Sequence, residues 1–322
     1  MKTNILITSA GQRVSLVKAF RRELKKKFPD SKVVTIDLHP ELSAACQISD
    51  SSHKISRVTS ESYVSELLTI CKKENVGMIV PTIDTELKIL SENKQIFESE
   101  SIHIIISDPD FINHCRDKRQ LNSFFVANNI RFPQPVDKNN PTFPLFIKPY
   151  DGSLSRDIFV ITEKSQLTEF HLTHPKFMFM EYVDPEVYQE YTIDCYYNRE
   201  NRLACAVPRL RIAVRSGEIH KGVTAKNHIV EYLKEKIPTI PGAVGCVTFQ
   251  FFFNKHNNDI IAIEINPRFG GGYPLSYEAG ANYPKMLIEE YFDLKNIGYT
   301  DDWEDKLLML RYDAEVLVRN YE

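Results

Sequence analysis

Over the first hundred residues, short apolar runs alternate with longer stretches in which apolar positions recur every three to four residues. The runs "NILIT" (4–8), "KVVTID" (32–37), "GMIVPT" (77–82) and "IHIIIS" (102–107) predict strands, and the periodic stretches 13–28, 62–76 and 84–99 predict helices. Strands that alternate with helices imply a parallel sheet covered on both faces, with ligand sites at the carboxyl ends of its strands. Ser9 to Arg13, Asp37, Thr82 and Asp84 fall at such ends. From residue 108 the pattern changes. A predicted helix over 117–129 and a Pro-rich connection at 133–144 lead to "LFIK" (145–148), then to aromatic strands at 177–183, 189–198, 203–214, 247–254 and 260–266. Turn signals between those strands predict an antiparallel sheet in a mixed α+β region. Helices are predicted at 283–295 and 304–318, and neither a repeat nor a low-complexity tract interrupts the chain.

The segment "IAIEINPRFGGGYP" (261–274) carries the most specific polar pattern. Side chains two apart on a strand share a face, so Glu264, Asn266 and Arg268 converge while Ile263 and Ile265 point the other way. A solvated amphipathic strand accounts for that alternation too. It does not account for Gly270, Gly271 and Gly272, which let backbone N–H groups approach an anion. A turn centred on residue 257 would set Gln250 opposite Glu264, and Gln250, Glu264 and Asn266 then form a set of hard oxygen ligands suited to Mg²⁺ rather than zinc or copper. Arg268 is placed to hold a phosphoryl oxygen or a carboxylate. In "FPLFIKPYDGSLSRDIF", Lys148 ends a strand before a Gly/Ser loop, a suitable arrangement for a polyphosphate, although an exposed lysine before a flexible loop reads the same way. Glu181 and Glu190 flank a turn between two strands, where solvated carboxylates are also ordinary.

Composition narrows the classes. With 322 residues and 43% hydrophobic content the chain can build two domains or one large one. Its net charge of -3 argues against a general nucleic-acid or membrane-surface role, since both require a basic excess. No apolar run nears the roughly 20 residues of a membrane span, and the strand-like opening is unlike a signal peptide, which together read as a cytoplasmic protein. The six cysteines lack a C-x-x-C pair and read as reduced, buried thiols.

Taken in order, "ILITSAGQR", "PTIDTEL", the "DK" at 117–118, "FIKPYDGS", "MEYV…QEYTID" and "EINPR" resemble the ATP-grasp superfamily. The likeness is to its carbamoyl-phosphate-synthase-like members, which include small carboxylate–amine ligases such as the pyrrolysine-biosynthesis ligase. It spans nearly the whole chain. The resemblance implies an α/β preATP-grasp domain with a parallel sheet (1–107), then an α+β ATP-grasp fold with an antiparallel sheet, divided into a small subdomain with a lid loop (108–180) and a large subdomain (181–322). It implies ATP and Mg²⁺, with Mn²⁺ as a substitute, and small-molecule carboxylate and amine substrates. The reaction implied is ADP-forming ligation through an acyl phosphate. A carbamate or thiol acceptor, or a non-catalytic nucleotide-binding protein, are the alternatives, and a homodimer is the family-level expectation.

Position by position, the resemblance assigns Lys118 and Lys148 to the ATP phosphates, the main chain of Glu181, Tyr182 and Val183 to adenine, and Glu190 to the ribose hydroxyls. Gln250, Glu264 and Asn266 match the metal set, and Arg268 and Arg211 match arginines at the reacting groups, with Arg209 and Arg215 as further candidates for that task. Substrate selection is expected around Gln12, Arg13 and Asp84, in 209–226, and at Tyr273 and Tyr277. The Arg-rich "PRLRIAVR" suggests an anionic substrate or a solvated basic strand. Two departures stand out. Asp157 replaces a glycine common in the lid and is expected to stiffen it. The "SAGQRVS" segment lacks the second and third glycines of a dinucleotide fingerprint, which disfavours an oxidoreductase using Asp37 on a ribose.

Overall fold

A computed structural model describes residues 2–151, 157–215 and 217–321. The chain begins with β1 (Asn4–Ile7), α1 (Val14–Lys27), β2 (Val33–Asp37), α2 (Ala44–Ile48), β3 (Ser51–Lys54), α3 (Tyr63–Lys73), β4 (Val76–Val80), α4 (Asp84–Glu92), α5 (Lys94–Glu98) and β5 (His103–Ile104). These strands form a five-stranded parallel sheet in the order β3-β2-β1-β4-β5. All five residues of β4 are buried, as a sheet covered on both faces requires. The helix predicted over 84–99 is two helices, because Asn93 turns its side-chain amide back to Ile89 O (2.8 Å) and ends the first.

Next come α6 (Pro109–Arg116), α7 (Lys118–Ala127), β6 (Leu145–Pro149), β7 (Phe159–Ile161), α8 (Glu169–Thr173) and β8 (Phe177–Glu181). Asp117 caps α7 by accepting from Arg119 N (2.9 Å). The three strands form an antiparallel sheet with β6 in the centre. The remainder is β9 (Gln189–Tyr197), β10 (Leu203–Arg215), β11 (Glu218–Thr224), α9 (His228–Lys236), β12 (Gly245–Asn254), β13 (Asp259–Asn266), α10 (Tyr273–Glu278), α11 (Tyr283–Phe292) and β14 (Leu308–Leu310). Its strands build a six-stranded antiparallel sheet in the order β13-β12-β9-β10-β11-β14.

The helix predicted at 304–318 does not form. Leu308, Met309 and Leu310 instead pair with Val223, Gly222 and Lys221 of β11. The unpaired edge of a sheet binds an extended segment strongly enough to override a local helical pattern.

One core runs through the parallel sheet and the six-stranded sheet. Ile5, Ile7 and Phe20 pack in the same buried cluster as Tyr196, Cys205 and Leu287, and α1 lies against α11. The C-terminal ends of β1 and β4 are thereby held against the end of β13. All six thiols are free and five are buried. Among the described residues, no helix is long and apolar enough to cross a membrane.

Candidate active site

The β12–β13 hairpin pairs Gln250 with Glu264 and Thr248 with Asn266, and its register shifts between Gln250 and Phe251. Gln250 Nε2 and Asn266 Nδ2 both donate to Glu264 Oε1, at 2.6 and 2.9 Å. Each amide presents its oxygen instead after a half turn about its last bond. Among the described residues no group of three or more His, Cys, Asp or Glu could hold a metal. One carboxylate with two amides is a poor zinc site, but it fits Mg²⁺ that shares its coordination with phosphates. Gln250, Glu264 and Asn266 are the residues that would hold it.

Lys148 faces this hairpin from β6. Burial and the charge of Lys118 lower its ammonium to about 8, against an opposing pull from Glu264. Lys118 opens α7, and its N–H donates to Tyr150 O (3.1 Å), tying the helix start to the strand end before the lid. Lid residues 152–156 lie outside the described residues. Asp157 adopts φ +54°, the left-handed conformation a glycine would take and one that Asp tolerates. The stiffening expected from replacing that glycine is therefore not imposed by the backbone path.

On β9, Glu190 Oε1 meets Arg211 Nε at 3.1 Å. Arg211 also donates to Thr192 Oγ1 (3.2 Å) and Gly217 O (3.3 Å). Burial raises the Glu190 carboxyl, Arg211 lowers it, and Glu264 adds to the rise. Glu181 directs its carboxylate away from this group, to Arg131 Nη2 (3.3 Å) and Gln134 N (3.1 Å). Tyr182 and Val183 follow it, half-buried, between β8 and β9.

Arg268 Nη2 pairs with Asp84 Oδ2 at 2.8 Å, joining the end of β13 to the start of α4. Beside it, Arg13 donates to Thr82 O and Phe269 O, both at 3.2 Å. The loops that carry Arg13 and Asp84 are organised by Glu86. This fully buried carboxylate accepts from Thr8 Oγ1 (2.7 Å), Ser9 Oγ (2.9 Å), Thr82 N (2.7 Å) and Ile83 N (3.1 Å). Burial pushes its carboxyl up, and these donors favour the ionised form. Asp37 accepts from Gly11 N (2.9 Å), so here it shapes the loop after β1.

Several sequence candidates sit elsewhere. Arg209 is buried against Asp194, with Nε–Oδ2 2.8 Å and Nη2–Oδ1 2.9 Å, and is a core ion pair. Arg215 is exposed and pairs with Asp313. Tyr273 and Tyr277 are buried, with their hydroxyls donating to Ala281 O and Glu23 Oε1. Both hydroxyls are engaged within the protein. Gln12 is exposed. The glycine triplet also differs from its expected use. A Cβ on Gly271 would lie 1.8 Å from Glu218 Oε2, and one on Gly272 would lie 2.0 Å from Arg209 Nη1. Those glycines make room for side chains. Glu218 and Arg311 are the charged neighbours that the sequence reading did not single out. Arg311 reaches Gly271 O from just beyond β14, a segment read as helix.

Lys148 from the three-stranded sheet and Lys118 from the start of α7 thus lie near a carboxylate, two amides and an arginine carried by β12, β13 and the loop after β13. Residues 5–105 match the family model described as PylC-like, N-terminal domain, and residues 173–311 match the one described as ATP-grasp in the biosynthetic pathway with Ter operon. The chain thus carries a PylC-like N-terminal domain followed by an ATP-grasp domain. Its fold is similar to the biotin carboxylase domain of Hydrogenobacter thermophilus 2-oxoglutarate carboxylase, described in complex with MgADP and bicarbonate (TM-score 0.71, 12% identity, 94% of this chain and 72% of that one). It is also similar to Staphylococcus aureus N5-carboxyaminoimidazole synthetase (TM-score 0.67, 18% identity, 89% and 77%) and to Bacillus licheniformis L-amino acid ligase (TM-score 0.65, 13% identity, 89% and 73%). No curated protein sequence matches.

Proposed function

We propose that the protein is an ATP-dependent carboxylate–amine ligase that forms ADP and phosphate through an acyl phosphate. One observation carries this reading: the charge of Glu264 acts at once on Lys148, Glu190 and Arg268, three groups from three different strands or strand ends. Such a convergence suits a triphosphate whose terminal phosphorus must meet a second anion.

In the first step an oxygen of the substrate carboxylate attacks the γ-phosphorus, and the bond to the β,γ-bridging oxygen breaks to release ADP. Lys118 and Lys148 hold the phosphates. Arg268, fixed by Asp84, faces the transferred group and offsets the charge that builds where the two anions meet. Mg²⁺ bound at Gln250, Glu264 and Asn266, or Mn²⁺ in its place, would supply further neutralisation of phosphate charge. Glu190 takes the ribose hydroxyls with Arg211 steadying its carboxylate, and the main chain at Glu181, Tyr182 and Val183 takes adenine. In the second step the amine nitrogen attacks the acyl carbon, the carbon–oxygen bond to phosphate breaks, and the nitrogen loses its proton.

The test measures ADP and phosphate release from MgATP with pooled amino acids and small carboxylates, comparing the wild type with Glu264→Ala. Pool-dependent release that falls about 100-fold or more in the variant, with unchanged melting, is the expected result. Near-normal turnover by Glu264→Ala would remove the metal-site reading. ATP binding without turnover under every pool would leave a nucleotide-binding protein.

A further inference from the structure

The loop after β13 gathers more charge than the phosphate chemistry uses. Arg13 Nη1 and Arg268 Nη1 both donate to Phe269 O, at 3.2 and 3.4 Å. Two residues on, Arg311 donates to Gly271 O, and the Glu218 carboxylate lies over the Cα of the same glycine. Arg13 feels the charges of Arg268, Arg311, Asp84 and Glu218, and both Arg268 and Arg311 feel that of Glu218. Only Arg268 and Asp84 are joined directly. Among the described residues, Arg13, Arg311 and Glu218 have no ion-pair partner within 4.0 Å. Three part-buried guanidiniums stand against two carboxylates, and two of the guanidiniums share one carbonyl oxygen. Like charges at that spacing repel unless an anion joins them.

We propose that this corner receives the substrate to be phosphorylated and that the substrate is zwitterionic, an amino acid or related aminocarboxylate. Its carboxylate sits between Arg13 and Arg268 with Arg311 behind, and its ammonium meets Glu218. The proposal rests on the ligase reading above. The pairing follows from what each alternative leaves behind. A simple monocarboxylate leaves Glu218 part-buried without a partner, which costs binding free energy. A dicarboxylate sets a second anion beside Glu218. An ammonium within a few bonds of the carboxylate satisfies both ends, because the two sets of protein groups meet the loop after β13 two residues apart, at Phe269 and Gly271.

Hydroxylamine separates this claim from the identity of the amine. It attacks the acyl carbon, phosphate leaves, and a hydroxamate forms whatever the natural acceptor is. The probes are alanine against propionate, phenylalanine against 3-phenylpropionate, and glutamate against glutarate, each with MgATP. In the active pair the amino member should lead by about tenfold or more in kcat/KM. Glu218→Gln should erase that lead and Glu218→Asp restore part of it, while ADP binding persists in both variants as evidence of folding. Equal or better use of the deamino member, or an unchanged preference in Glu218→Gln, overturns the proposal and leaves the ligase reading intact. Hydroxamate from no carboxylate at all overturns both.

Discussion

Lys148 shows how burial tunes a single side chain for the phosphate-holding role proposed above. Held between the hairpin and Lys118, its ammonium loses a proton near pH 8, well below the ordinary lysine range. Between that value and the unfolded lysine pKa of about 10.4, the unfolded chain binds more protons, so this group makes stability rise with pH over that window. Nucleotide binding runs the opposite way, because the phosphates need the charged form. ADP affinity should therefore fall as pH rises through about 8, and Lys148→Arg, charged throughout, should flatten the profile; titration calorimetry from pH 7 to 9.5 checks this. The alternation of polar and apolar positions singled out Glu264, Asn266 and Arg268, and a strand end before a Gly/Ser loop singled out Lys148. It could not sort the arginines of β10. Arg209 and Arg211 share a face, yet one ends beneath the glycine loop and the other in the cleft. Two register shifts between Arg211 and Val214 re-aim the strand end, and Arg215 leaves the site.

At the scale of elements, the hairpin was legible because a short polar turn fixes its register. That register sets Gln250 against Glu264 as the turn position required. The segment after α11 was not legible. Its helical pattern yields to the open edge of β11, and the strand that results carries Arg311 into the site. The glycine loop between β13 and α10 divides two jobs that sequence could not separate. At Gly272 an added methyl meets a guanidinium locked in a buried ion pair, so Gly272→Ala should cost about 1–3 kcal/mol in denaturant unfolding. At Gly271 it meets the mobile end of Glu218. Gly271→Ala should then unfold nearly like the wild type while raising KM for the carboxylate substrate, a split that steady-state kinetics beside the unfolding curves resolves.

Across the whole molecule, a shared core places the loops after β1 and β4 against the end of β13, so that the parallel sheet supplies Arg13 and Asp84 to a site built on the six-stranded sheet. Alternating strands and helices announced the first sheet, and aromatic strands announced the second. Their packing against each other was not legible, since contacts between distant segments leave no periodic trace. In the proposed reaction these parts act together, and an oxygen of the substrate moves to phosphate. The most direct test supplies a turned-over carboxylate labelled with ¹⁸O in both oxygens and examines the released phosphate by mass spectrometry. One labelled oxygen per phosphate is the predicted result. Phosphate that carries no label, formed alongside the ligated product, would contradict the acyl-phosphate mechanism.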